Sequence, residues 1–379
     1  MESQINIEYI YDKNINILLG AGASYGLFPT LELMLEGENG NRFTIETLAE
    51  KFESQNQPKL KTLLFMYYFK SCIKPVLEFC IHNLETSKQN VILQYSNFIH
   101  TILSILYKRT SPKRRCNIFT TNYDGCIALS SEEILKQGQR DFILNDGTRG
   151  FRKKYLQAKN FNTFLCQTGI FEKNYIDVPQ INLIHLHGSA YWQKEDDRII
   201  VDYQSSGKFS EIGQIVTQMS PLLDQFTDII SSDKSEFSSL NSMRLDDLSY
   251  DLEQQFWQEY KKIPIVNPEK WKFHETVFEE HYYQMLRALS YELEKDHTIL
   301  ISFGFSFADE HILNLIKRSL SNHLLQLFVC CFNDQEKKNL EKKFLGYKNI
   351  QFISCKENLN FEIFNTNVFT LEPNNPERQ

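Results

Sequence analysis

The sequence has no C-x-x-C pair: its eight cysteines stand at positions 72, 80, 116, 126, 166, 330, 331 and 355. Structural zinc sites take their thiolates in closely spaced pairs, so a zinc knuckle or ribbon is not expected. Cys330 and Cys331 are adjacent in an apolar run. Neighbouring strand residues face opposite ways and do not easily share a metal. The thiols read as reduced core filler in a cytoplasmic protein. No run of about 18 apolar residues occurs, so no membrane span is expected. The first residues, MESQINIEYIYDKN, carry neither the basic start nor the apolar stretch of a secretory signal. An excess of positive charge is missing too. With 41 Lys and Arg against 48 Asp and Glu, the net charge is −7. That argues against the broad basic field needed for direct nucleic-acid binding. Lys108, Arg109, Lys113, Arg114 and Arg115 do lie close together, and they read as a solvated turn before a strand. Internal repeats and long low-complexity tracts are also missing.

What is present suits a folded globular chain. Hydrophobic residues make up 42%, with 29 Phe and 18 Tyr, enough for a sizeable core. Short apolar runs end in Gly, Asn or Asp: Ile15–Leu19, Asn117–Thr121, Asn182–Leu186, Thr298–Phe303, Leu325–Phe332 and Ile350–Ser354. They lack polar alternation, as strands covered on both faces do. Helical spacing fills Lys61–Asn83, Val91–Lys108, Phe278–Lys295 and His311–Ser321. The alternation predicts an α/β fold, a doubly wound, Rossmann-like parallel sheet of about six strands. Residues 1–379 read as a single domain carrying two insertions. One, over 37–112, is helical. The other, over 204–275, is polar and either helical or mobile, with SSDKSEFSSLNS at 231–242. The tail at 371–379 is expected to fray.

Each predicted strand end carries polar residues. Ile17-Leu18-Leu19 runs into Gly20-Ala21-Gly22-Ala23-Ser24. Glycines there allow a sharp turn and close approach of backbone to a pyrophosphate, with the amides of the following helix as anion donors. The same glycines also serve a tight turn with no ligand. Phe119-Thr120-Thr121-Asn122-Tyr123-Asp124 ends a second strand. Asn122 offers a donor and an acceptor and Asp124 an acceptor, though both residues also stabilise turns. In Leu183-Ile184-His185-Leu186-His187-Gly188 the two histidines share a strand face, with His187 emerging at the edge and His185 lying deeper. No nearby H-x-x-E or cysteine cluster completes a metal site around them. A fourth strand ends in Gly304-Phe305-Ser306-Phe307-Ala308-Asp309-Glu310-His311. Asp309 is placed to cap a following helix, and Ser306 to reach a ribose or phosphate. A fifth ends in Asn333-Asp334, where an adenosine would lie.

In this order, the five segments resemble the sirtuin-like fold, whose members carry Gly-Ala-Gly-x-Ser, Thr-x-Asn-x-Asp, His-Gly, Gly-x-Ser and a strand-end Asn. Here these are Gly20–Ser24, Thr120–Asp124, His187–Gly188, Gly304–Ser306 and Asn333. The match frames the chain from about residue 12 to 355. It also departs from the pattern. The four-cysteine zinc module of protein deacylases is missing. Gly26-Leu27-Phe28-Pro29-Thr30 only echoes their Gly-Ile-Pro-Asp-Phe-Arg, and Phe307-Ala308-Asp309-Glu310-His311 continues as a helix instead of a peptide-binding strand. The Gly-Phe-Ser-Phe-x-Asp-x-His form is similar to bacterial sirtuin-like proteins of antiphage defence, which hydrolyse NAD. The resemblance implies an NAD hydrolase with NAD as substrate and no metal, gated by homo-oligomerisation or by a partner such as a HerA-like ring ATPase. It implies Asn122, His187 and Asp124 as catalytic residues. Gly20, Ala21, Gly22, Ala23, Ser24, Thr121, Gly304, Ser306, Asp309 and Asn333 would hold the dinucleotide. Asn122 and His187 are expected to converge on its ribose. An NAD-dependent protein deacylase and a non-catalytic NAD or ADP-ribose sensor stand as alternatives.

Overall fold

A computed structural model describes residues 4–37, 42–81, 84–110, 114–168, 175–204, 209–266 and 276–371. The described chain divides into two compact units. The first comprises Met1–Leu27, Cys80–His187 and Glu280–Gln379; the second comprises Phe28–Phe79 and Gly188–Glu279.

The first unit is α/β and Rossmann-like, built on a seven-stranded parallel sheet flanked by helices. In chain order the strands are β1 (Asn14–Leu19), β2 (Arg115–Thr120), β3 (Ile143–Asn145), β4 (Gln180–His185), β5 (Thr298–Phe303), β6 (Leu325–Cys330) and β7 (Ile350–Ile353). Across the sheet they run β7-β6-β5-β1-β2-β4-β3. The order reverses at β1: β2 lies on one side of it and β5 on the other, so the switch point falls between the ends of β1 and β5. Open parallel sheets bind ligands outside the carboxyl ends of strands at such a point. Burial on both faces explains why these strands lack alternation: β4 and β5 are buried at every residue. Helix α1 (Thr86–Tyr107) packs against α2 (Cys126–Lys136). Phe98 and Phe303 meet Phe361 and Phe364 in an aromatic layer.

A polar ladder crosses this apolar sheet. Asn16, Asn117 and Asn182 are in register across β1, β2 and β4, and Asn182 pairs with Asn145 of β3. Asn117 donates to Asn16 at 2.8 Å, Asn182 donates to Asn117 at 2.8 Å, and Asn145 donates to Asn182 at 3.0 Å. Asn16 donates in turn to the Ile299 carbonyl, and Gly147 N donates to Asn145 Oδ1. Each amide therefore uses both its donor and its acceptor. Leaving one such buried group unpaired costs about 1–3 kcal/mol. A one-residue slip breaks the whole row, so the ladder fixes the register of strands that burial on both faces leaves weakly specified.

The second unit holds the hairpin Glu32–Glu36 with Arg42–Thr44, the hairpin Trp192–Glu195 with Arg198–Val201, and several helices. Among these are Ile45–Ser54, Pro58–Tyr68, Ser210–Gln218, Ser220–Ile230 and Tyr250–Tyr260. The stretch expected as one insertion over 37–112 is thus divided: residues up to Phe79 belong to the second unit and α1 to the first. The described part of 204–275 is helical. The 372–379 part of the expected frayed tail lies outside the described residues.

The strand beyond the six apolar runs, Ile143–Asn145, is a three-residue edge strand too short to show as such a run. One expectation is corrected: in the basic cluster Lys108 is exposed, but the arginines do not form a solvated turn. Arg109 is buried and donates to the Ile10 carbonyl, Arg114 donates to Arg109 and Asp177 carbonyls, and Arg115 pairs with the buried Glu292 at 3.2 Å. Lys113 lies outside the described residues. No helix among the described residues is long and apolar enough to cross a membrane.

Candidate active site

All five polar segments follow carboxyl ends of parallel strands, those of β6, β5, β1, β2 and β4, and so share one rim; their residues up to His187 and from Gly304 on belong to the first unit. Thr120 and His185 are paired in register. Asn122 and His187, each two residues further on, therefore occupy equivalent places beyond neighbouring strands. The Leu186 amide donates to the Thr120 carbonyl at 2.7 Å and extends that pairing past the sheet.

The glycine loop after β1 packs on the loop after β5. Gly22 N donates to Gly304 O at 2.9 Å and Gly20 N to Phe303 O at 3.1 Å. A Cβ on Gly20 would stand 2.4 Å from Gly304 O, and one on Gly22 would stand 2.7 Å from Gly304 Cα. Gly304 itself has φ +65° and a Cβ there would meet Ala23 N at 2.6 Å. The glycines are thus required by backbone touching backbone. The amide of Ala23 donates to Gly20 O, so three amides of the loop serve the fold itself. The segment that follows, Ala21–Ser24, is a single 3₁₀ turn and not the helix expected from the sequence. Gly26, at φ +92°, and Pro29 stop it from growing.

Ser24, expected to face a phosphate, is buried at the centre of a hydrogen-bond hub. Its hydroxyl donates to Asp124 Oδ2 at 2.6 Å. It also meets Tyr95 Oη at 2.7 Å and accepts from Asn122 Nδ2 at 3.2 Å. A hydroxyl has one proton to give and two lone pairs. With its proton on Asp124, Ser24 must accept from Tyr95, and it is then saturated. Asp124 is held on both oxygens: Oδ1 accepts at 3.0 Å from the amide of Cys126, the first residue of α2. Burial, reinforced by the Asp124 charge, keeps the Tyr95 phenol and the Cys126 thiol protonated. Neither is a nucleophile.

Asn122 differs from its partners. Its backbone amide donates to Thr120 Oγ1, its carbonyl meets His185 Nδ1 at 3.0 Å, and its Nδ2 goes to Ser24. No described residue donates to its Oδ1. The side chain therefore presents an acceptor, which selects an O–H or N–H donor such as a sugar hydroxyl or a water. Because a carbonyl only accepts, His185 must carry its proton on Nδ1. Burial holds that imidazole below its ordinary range, against the pull of the Asn122 carbonyl and of Asp124 and Asp146. His185 is a neutral, hydrogen-bonded core residue beneath the rim.

His187 stands in a second cluster. Its Nε2 lies 2.8 Å from Asp309 Oδ2, and the Tyr282 ring is 6.4 Å away, centre to centre. Asp309 also caps the helix α3 (Glu310–Ser319), accepting from Ile312 N at 3.0 Å. The two clusters are linked through the backbone pairing of β2 with β4. Thr121 uses its amide on the Leu19 carbonyl. Ser306 accepts from Ala308 N at 3.4 Å. Asn333 is the cap of α4 (Asp334–Lys343), accepting from Glu336 N at 2.9 Å. Its hydrogen bond is therefore that of an end-of-helix residue. Sequence reading missed Tyr95 and Tyr282, since an aromatic in a helical stripe looks like any core residue.

Among the described residues no group of three or more His, Cys, Asp or Glu is placed to hold a metal. The described cysteines are all free, and burial raises Cys72 and Cys116 to about 12. A hollow of about 1010 Å³ in the second unit is lined by mixed charges around Trp257 and by none of these residues. No protein-family model matches the chain, and no curated protein matches it.

Proposed function

We propose that this chain is a sirtuin-like NAD hydrolase that releases nicotinamide and ADP-ribose. The observation that carries the reading is the rim itself. At the switch point of a Rossmann-like sheet, a glycine turn, an asparagine with an unspent acceptor and a histidine paired to a carboxylate follow β1, β2 and β4. Supporting it is the order of motifs along the chain.

The chemistry asks little of an acid. Breaking the C1′–nitrogen bond sends its electron pair onto a pyridinium and neutralises it, while the ribose passes through an oxocarbenium-like state. Asn122 Oδ1 accepts a hydrogen bond from the ribose or the attacking water. His187 takes the proton that water or a hydroxyl gives up, as general base. Asp124, with Ser24 and Tyr95, acts by holding Asn122 in place. The diphosphate falls to the loop amides left over by the Gly20–Gly304 packing, together with Ser306 and the α3 end. A HerA-like ATPase and self-association remain the proposed gates, in a cytoplasmic setting.

The test is incubation of the purified chain with NAD, with and without an acetyl-lysine peptide, followed by mass spectrometry. Plain ADP-ribose supports the hydrolase. O-acyl-ADP-ribose would make it a deacylase, and binding without nicotinamide release would make it a sensor. His187→Ala should lower turnover by roughly 10²–10⁴-fold without loss of the folded state, since His187 is at the rim and not in the core.

A further inference from the structure

We propose that Asp309 is the positioning residue for His187: it holds the imidazole proton on Nε2 and so assigns base duty to Nδ1. This rests on the reading of His187 as the base. Asp309 Oδ2 is 2.8 Å from His187 Nε2, and a carboxylate without its proton only accepts. The carboxyl stays ionised. Burial alone would raise it, but the hydrogen bond and charge of His187, the Ile312 amide and His311 together bring it below the ordinary carboxylate range. Nε2 is therefore the donor, and a ring that carries a single proton has its lone pair on Nδ1.

The placement of Asp309 is over-determined. Its two oxygens serve two masters: Oδ1 accepts from Ile312 N and fixes the carboxylate against α3, while Oδ2 faces His187. The loop that delivers it is pinned at both ends. At one end Gly304 is wedged against Gly22. Toward the other, Phe307 is buried at φ +54°, a left-handed conformation rare for a bulky residue. Its carbonyl accepts from Lys343 Nζ at 2.9 Å, and its ring packs on Phe305 and Phe344. Such strain persists where the surroundings enforce it, and it gathers at functional sites.

The span of the bond is also informative. His187 follows β4 and Asp309 follows β5, and in the sheet β1 and β2 lie between those strands. Three strand spacings amount to roughly 14 Å. The pair therefore bridges the rim above the strands that carry Gly20–Ser24 and Asn122, tying the two sides of the switch point. The other titratable groups around it are Tyr282 and Tyr283 from the helix before β5 and His311 from α3. Burial and the Asp309 charge raise the Tyr282 phenol, so it stays neutral and does not compete for the proton.

The experiment combines kinetics with ¹⁵N NMR of histidine-labelled protein, with His187→Ala assigning the resonance. Asp309→Asn keeps a good helix cap but offers an amide that is able to donate to Nε2 and drive the proton to Nδ1. The expected result is a fall in kcat of about 10²-fold or more, as when a triad loses its carboxylate, with KM unchanged and the His187 signals switched to the Nδ1–H tautomer. Asp309→Ser, which caps but has no carboxylate, should give a mixture of tautomers; it stands in if the first variant does not fold. A normal tautomer in both variants overturns the proposal, even if activity falls, because the loss would then come from the helix end. A tautomer switch in a protein that never cleaves NAD leaves the hold of Asp309 intact and removes the hydrolase reading instead.

Discussion

Asparagine does two different jobs in the first unit. In mid-sheet, Asn16, Asn117, Asn182 and Asn145 form a closed row in which every amide donates and accepts. At the rim, one strand spacing from β1, Asn122 spends its donor on Ser24 and leaves its acceptor open. The side chains are identical, and both sites are mostly buried. The difference lies in completeness: an amide satisfied on both sides is architecture, whereas one satisfied on one side is an instrument held by the protein and aimed at something else.

The comparison yields its largest effect in activity. Asn122→Ala should lower NAD turnover by roughly 10²–10⁴-fold, about 3–5 kcal/mol of barrier. The thermal midpoint should move little, because Ser24 loses only one of its partners. A protein that melts much earlier yet turns over NAD normally per folded molecule would reverse the two roles. Next comes Asn117→Ala. It strips Asn16 Oδ1 of its donor and Asn182 of an acceptor, and should cost about 2–4 kcal/mol in denaturant unfolding. Turnover per folded molecule should be preserved. If stability is unchanged, the ladder does not specify register.

The smallest effect is a pH dependence beneath the rim. His185 is held below its ordinary value of 6.5 by burial. Between its folded and unfolded values the unfolded chain binds a proton that the native state refuses. Stability is therefore full above about pH 6.5 and declines as pH falls below it. Asp309, a depressed carboxyl, contributes in the same sense but only as pH falls below its ordinary value of 3.8. The window from pH 7 to 5 thus reports histidines, His185 together with His100, which burial and Arg140 also hold below its ordinary value. Unfolding measured across it should show a slope that His185→Gln, which keeps a donor for the Asn122 carbonyl, reduces, leaving the share of His100. An equal slope in both proteins would place the titrating group elsewhere.

Much of the scaffold was legible from residues alone, since six strands announce themselves as short, mostly apolar runs and Thr298–Phe303 was bounded to the residue. The cap at Asp309 was legible too, because an acid before Glu310-His311-Ile312 has a local meaning. What escaped depends on register or on distance. Each ladder asparagine looks like a stray polar residue within its own segment, and only parallel alignment of positions 16, 117, 182 and 145 makes them a row. The partner of His187 is 122 residues away. Ser24 reads as a phosphate ligand until Tyr95, on a remote helix, is found sharing it. The glycines carried a mixed message: the turn was foreseen, but the neighbour that demands it, Gly304, is a third glycine across the switch point.

The spatial order of β2, β4 and β3 has a consequence for synthesis. β4 is made after β3 yet lies between β3 and β2. As the chain leaves the ribosome, the segments for β2 and β3 emerge with a slot one strand wide between their final positions. The segment that fills it arrives roughly 40 residues later, a delay of about 2–8 s at ordinary elongation rates. During that interval the amides of Asn117 and Asn145 are met by water, and two backbone edges await a common partner. A ribosome that pauses over residues 146–179 prolongs the time for which β2 and β3 lack the strand that lies between them.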